Sequence, residues 1–291
     1  MYEKVLVPFD FSPDSQHAFS CLRYIPGIRQ VVLLHVVYTK HPSIPGEYVS
    51  PEADYARLRL EELVRKAGET RFSVKVRVEE ITGGSISDVV NRVADAEGSS
   101  LTLMGRKGQG VIESIFVGSV ATDVLRDGQT DILLVGRPQE ERAEGKVHPC
   151  ADLFSHVLIC TDFSPPDISA LAAERLPRPA RVTILHVMDR GAPERETRQL
   201  ADSARAQLEK CAEVFSRRNV PVGTALRAGN TAEEIAAHAR EEGASLIVVK
   251  SAGRRGFIPR FLGMTTGNVV RTTRVPILVL KRPGEAVPPR G

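Results

Sequence analysis

The sequence predicts an α/β protein made of two tandem Rossmann-like domains, each a parallel sheet with helices on both faces. Three observations predict it: the chain length, an internal repeat, and the alternation of strand-like with helix-like segments. The chain has 291 residues, whereas single domains usually run to about 100–150. It is 42% hydrophobic, 26% charged and 5% aromatic, the profile of a globular chain rather than a disordered one. Its longest apolar runs fall far short of the roughly 20 residues needed to cross a bilayer, so no membrane partner is expected. The first residues, Met1 to Val5, run straight into a strand, which leaves no expected signal peptide.

The repeat orders everything else. Val5-Leu6-Val7-Pro8-Phe9-Asp10-Phe11-Ser12-Pro13 matches Val157-Leu158-Ile159-Cys160-Thr161-Asp162-Phe163-Ser164-Pro165, an offset of 162 − 10 = 152. Leu33-Leu34-His35-Val36 recurs as Ile184-Leu185-His186-Val187. Gly98-Ser99-Ser100-Leu101 recurs as Gly243-Ala244-Ser245-Leu246, at 243 − 98 = 145. The second copy is therefore shorter by 152 − 145 = 7 residues, lost after the second strand, where His41 to Glu47 is a Pro/Gly-rich loop. The domains are placed at 1–137 and 152–283, separated by a charged linker at 138–151 and followed by a tail at 284–291.

Within the first copy, β-branched runs predict strands near 4–9, 31–37, 73–79, 100–104 and 131–135, with helices between them. Ser12-Pro13 places a capping hydroxyl before a proline suited to a first helical turn, and Ser164-Pro165 is expected to do the same in the second copy. The last strands, Ile132 to Val135 and Ile277 to Leu280, are apolar edges that need covering, and packing of the two copies as an internal pseudo-dimer is expected.

Charge and cysteine content narrow the function classes. A net charge of +3 arises from 39 Lys and Arg interspersed with 36 Asp and Glu, which argues against nucleic acid as a partner. The four cysteines, Cys21, Cys150, Cys160 and Cys211, form no C-x-x-C pair and are read as reduced packing thiols in a cytoplasmic protein. His35 and His186 sit in apolar strands and are read as packed, hydrogen-bonded histidines.

Ligands of open parallel sheets bind at the carboxyl ends of the strands, where helix N-termini direct their N–H groups. There the first copy reads Met104-Gly105-Arg106-Lys107-Gly108, then nine residues, then Gly118-Ser119-Val120. Glycines admit close approach of a ligand to the backbone, Ser119 adds a hydroxyl at a helix start, and Arg106 and Lys107 add charge suited to phosphates. Gly105-x4-Gly110 is followed by Val111 and Ile112 rather than the Lys and Ser/Thr of a Walker loop, and no G-x-G-x-x-G follows the first strand. Asp10, at the end of the first strand, reads either as a ligand contact or as a cap for the helix beginning near Ser12.

Both copies, over essentially their whole length, resemble the universal stress protein family. The signature G-x2-G-x9-G-(S/T) is matched at every spacing by Gly105, Gly108, Gly118 and Ser119. The resemblance implies a five-stranded parallel sheet and an adenine nucleotide, ATP or AMP, held with Mg2+. By the same resemblance Pro8 and Asp10 frame the adenine, Val36 offers it backbone groups, and Met104 lies near the nucleoside. Gly105, Arg106, Lys107, Gly108, Gly118, Ser119 and Val120 would line the phosphates. The second copy departs from the signature: Lys250 and Met264 replace Gly105 and Ser119, and Cys160 replaces Pro8, while Asp162, Val187, Gly253 and Gly263 keep their positions. The expected function is a cytoplasmic ATP-binding stress-response regulator, not an enzyme, with weak ATP hydrolysis allowed and with a homodimer and a further protein partner. The alternatives are a slow ATPase or nucleotidyl transferase, and a ligand-free interaction module.

Overall fold

The structure, a computed structural model, describes residues 1–108, 117–137, 148, 150–188, 194–251 and 264–281. The expected linker and tail lie almost wholly outside these residues. Two compact units emerge, Tyr2–Val135 and Gly136–Gly291.

In the first unit the chain runs β1 (Lys4–Pro8), α1 (Pro13–Cys21), β2 (Gln30–Tyr38), α2 (Pro51–Ala67), β3 (Ser73–Ile81), α3 (Ile86–Ala96), β4 (Leu101–Gly105), α4 (Ser119–Asp127) and β5 (Asp131–Val135). The strands lie in the order β3-β2-β1-β4-β5 and pair in parallel. The second unit repeats this as β6 (His156–Cys160), α5 (Ile168–Arg175), β7 (Arg181–Met188), α6 (Glu194–Ser216), β8 (Val222–Ala228), α7 (Thr231–Glu241), β9 (Leu246–Lys250), α8 (Met264–Thr272) and β10 (Ile277–Leu280). Its order is β8-β7-β6-β9-β10, again parallel. The predicted fold class and the first-copy strands match what is observed.

Parallel strands buried on both faces read as unbroken apolar runs, and Val5, Leu6 and Val7 of β1 and Val157, Leu158 and Ile159 of β6 are fully buried. β3, at the sheet edge, is instead half-buried and carries Lys75, Arg77 and Glu79, charges that discourage edge-to-edge pairing. Each sheet reverses direction at its centre. The chain moves outward from β1 to β3 and then returns to the other side of β1 with β4. The loops after β1 and β4 therefore diverge to opposite faces and open a crevice between them.

Ser12 caps α1, its Oγ accepting from the Ser15 N–H at 3.2 Å. The corresponding expectation for Ser164 is corrected. Pro165 is followed by Pro166, which disfavours helical geometry in the residue before it, and α5 starts later, capped by Asp167, whose Oδ1 accepts from the Ser169 N–H at 2.9 Å. Of the cysteines read as reduced thiols, Cys160 and Cys211 are free.

At the amino end of the first sheet Glu97, which follows α3, accepts from Lys4 at 3.0 Å, Lys75 at 2.7 Å and Arg77 at 2.7 Å. Hydrogen bonds from Lys75 and Lys4 hold its carboxyl down at about 2. The stabilisation this gives is complete above the ordinary carboxylate range and is lost as pH falls toward 2. Glu97→Gln is expected to lower the stability of the first unit by about 1–2 kcal/mol at pH 7, read as a lower urea midpoint, with the gap to wild type closing below pH 4.

Candidate functional site

The crevice brings together the ends of β1, β2 and β4 with the start of α4. Pro8, Asp10 and Val36 are half-buried on one side, and Met104 is buried at the end of β4. Beyond it Arg106 is buried and Lys107 and Gly108 are half-buried. Gly118 is the N-cap of α4, Ser119 is exposed at its first position, and Val120 is half-buried. The two parts of the glycine motif are joined directly, since the Gly118 N–H donates to the Arg106 carbonyl at 2.7 Å.

The three glycines play different roles. A Cβ on Gly105 would meet the carbonyl carbon of Asp14 at 2.7 Å and its Cβ at 2.8 Å. Gly105 is thus needed for the first turn of α1 to press against β4. A Cβ on Gly108 would meet the Asp10 carboxylate, Oδ2 at 2.7 Å and Cγ at 3.8 Å, so this glycine keeps the loop backbone against that carboxylate. Gly118 is the N-cap of α4, with no side chain to compete for the first N–H groups of the helix.

Asp10 does not cap α1, whose N-cap is Ser12. Asp10 Oδ1 accepts from the Ser12 N–H at 3.0 Å, a local turn before the helix, while Oδ2 is the atom beside Gly108. Phe11, between them, adopts a left-handed backbone with φ of 61°, and Phe163 in the second copy does the same at 57°. Such a conformation in a bulky residue is costly and persists only where its surroundings enforce it. The Phe11 ring packs edge-on against His35 at 4.9 Å, and the guanidinium of Arg59 from α2 lies 3.7 Å over its face. His35 is fixed, its Nδ1 2.6 Å from the Phe9 carbonyl, and burial lowers its pKa. His186 repeats that contact with Thr161 at 2.8 Å. Both histidines are packed and hydrogen-bonded, as the sequence suggested.

Arg106 does not stand on the ligand-facing surface of the loop. It is 4% exposed, burial pulls its pKa down to about 10, and the Asp14 carboxylate opposes that shift. Asp14 Oδ2 also accepts from the Lys107 N–H at 3.2 Å. Asp14, Phe11 and Arg59 were not singled out from sequence. The repetition of Asp-Phe-Ser-Pro in both copies was a signal for Phe11, whereas Arg59 lies in an ordinary charged helix with no distinguishing spacing.

In the second copy the same position is filled. Lys250, at the end of β9, is buried and its ammonium donates to the Ser164 carbonyl, to Ser164 Oγ at 2.7 Å and to the Pro166 carbonyl at 3.2 Å. It also pairs with Asp162 Oδ1 at 3.2 Å. Asp162 is held as the anion, its pKa lowered against its own burial by Ser164 and by Lys250. Gly253 and Gly263 lie outside the described residues.

The chain matches the model of the universal stress protein family over residues 1–136 and 153–281. It belongs to that family, with two such domains in tandem. Universal stress protein MJ0577 of Methanocaldococcus jannaschii is 23% identical over 159 residues, a match covering 47% of this chain and 96% of that protein. A universal stress protein of Archaeoglobus fulgidus superposes with a TM-score of 0.62 at 23% identity, covering 96% of both chains. A functionally unknown protein of Pseudomonas aeruginosa gives a TM-score of 0.64 at 14% identity, covering 96% of this chain and 92% of that one.

Gly105→Ala and Gly108→Ala are expected to separate fold from site. The first should destabilise the first unit by about 2 kcal/mol, because its clash is with backbone. The second should leave the urea midpoint nearly unchanged, because only a carboxylate must rotate. Lys250→Met is expected to destabilise the second unit by about 1–2 kcal/mol, since it leaves Asp162 charged without its partner and that carboxylate is partly solvated.

Proposed function

We propose that the protein binds one adenine nucleotide per chain, ATP or AMP with Mg2+, in the crevice of the first domain, and acts in the cytoplasm as a nucleotide-dependent stress-response regulator. The observation that carries this reading is the contrast between the copies. In the first, Asp10, Gly108 and the start of α4 converge on one crevice. In the second, a buried lysine neutralises the equivalent carboxylate. Phosphate charge would be met by the α4 N-terminus and by Lys107, and the base side by Pro8, Asp10, Val36 and Met104.

Regulation rather than turnover is supported by the state of the nearby titratable groups. Asp10 is engaged with the Ser12 N–H and His35 with the Phe9 carbonyl, which suits fixed scaffolding more than proton transfer. Slow hydrolysis remains the enzymatic reading, favoured by multiple-turnover phosphate release well above that of a Gly118→Ala, Ser119→Ala control. A homodimer and a further protein partner belong to the same proposal.

Calorimetric titration of the full chain with ATP and Mg2+ is expected to give a ratio near one. Asp10→Ala combined with Gly118→Val should abolish binding, and Asp162→Ala should leave the ratio unchanged. A wild-type ratio near two would overturn the assignment of a single site. No heat and no rise in melting temperature would favour the ligand-free module.

A further inference from the structure

The second domain buries two histidines against arginines. His156, the first residue of β6, has Nδ1 2.7 Å from the Arg181 guanidinium on β7 and 3.1 Å from the Glu242 carbonyl after α7, with Nε2 2.9 Å from Thr183 Oγ1. Nδ1 thus faces a donor in Arg181 and an acceptor in the Glu242 carbonyl, so a neutral ring can satisfy only one of them; Arg181 disfavours the protonated ring, and Glu242 favours it. His238 on α7 repeats the arrangement, its Nδ1 3.1 Å from Arg227 on β8, and its buried Nε2 has no hydrogen-bond partner among the described residues. The charged groups around the pair are few. Arg181 stands 3.9 Å from the Glu242 carboxylate, Arg227 pairs with Glu241, and the two imidazoles lie within each other's field. Glu241 and Glu242 favour protonation of His238, but each is already engaged by an arginine.

The first domain solves the same packing problem without a histidine. Lys4 stands where His156 does, Val93 where His238 does (238 − 145 = 93), and Glu79 where Arg227 does. There Lys4, Lys75 and Arg77 surround Glu97, and Arg77 and Arg92 surround Glu79. None of these groups changes charge between pH 5 and 8. This end of the first domain is therefore a control within the chain, whereas its crevice carries His35, whose pKa burial also lowers.

We propose that the second domain is an acid-sensitive element, in which protonation of His156 and His238 sets two cations against Arg181 and Arg227 and loosens the packing of α7 on β6, β7 and β8, while the corresponding end of the first domain keeps its order. Both imidazoles are shifted downward, by burial first and then by the arginine each one faces. A histidine whose folded pKa is lowered stabilises the fold fully above the unfolded value, about 6.5. That stability is lost as pH falls from there toward the folded pKa. A fall in pH would thus act on this end of the second domain through groups that the first domain lacks there.

Hydrogen–deuterium exchange of the full chain at pH 7.5 and 5.5, corrected for intrinsic exchange rates, tests this. Peptides covering 156–160, 181–188 and 222–241 are expected to exchange about tenfold faster at the lower pH. Those covering β1, β3 and α3 should change far less. His156→Gln with His238→Val is expected to flatten the pH response of the second domain. Unchanged protection in the wild type, equal loss in both domains, or a variant as acid-sensitive as wild type would each overturn the proposal. If the double variant does not fold, the wild-type contrast between the two domains still decides.

Discussion

The approach of α1 to the end of β4 is the constraint on which the candidate site depends. At Gly105 the helix comes so close that any side chain would enter the backbone of Asp14. That contact fixes the start of α1 over the sheet, and Asp14 in turn holds the loop, through the Lys107 N–H and through the field it exerts on Arg106. The Gly118 N–H then closes the loop onto the Arg106 carbonyl. The glycine motif is thus as much a packing motif as a ligand cradle, with Gly105 serving the helix and Gly108 serving the carboxylate of Asp10.

The second copy shows what happens when that contact is absent. Pro166 stands where Asp14 does (14 + 152 = 166), and the helix does not begin until Ile168. The space at the end of β9 is then taken by Lys250, whose ammonium satisfies the carbonyls of Ser164 and Pro166 that a helical turn would have arranged otherwise. A buried ammonium requires such partners, because an unpaired one would be expelled or neutralised. Proline and lysine are therefore two halves of one local solution.

The fold was legible in the sequence because parallel strands buried on both faces are unbroken apolar runs, and because the repeat aligned the two copies without external help. Glycine spacing located the crevice, and the apolar context of His35 and His186 identified them as packed residues. The remainder was hidden for specific reasons. Arg106 beside two glycines looked phosphate-facing, but chain direction at a strand end is set by tertiary packing, and it is buried in the field of Asp14. The Ser164 cap failed because the second proline outweighed the hydroxyl. The contact of Arg59 with Phe11 joins residues on different elements that share no pattern.

The pairing of Lys250 with Pro166 has a bearing on how the two copies diverged. A lysine introduced at Gly105 of the first copy would strike the backbone of Asp14, so that route is closed while the helical turn is in place. Once a proline has delayed the helix, the lysine has room and gains three oxygen partners and a carboxylate. From then on, restoring glycine alone would leave those carbonyls and Asp162 uncompensated, and restoring the helical turn alone would crowd the lysine. Neither single step converts the second arrangement into the first, so the two copies are separated by a pair of changes that must be made together.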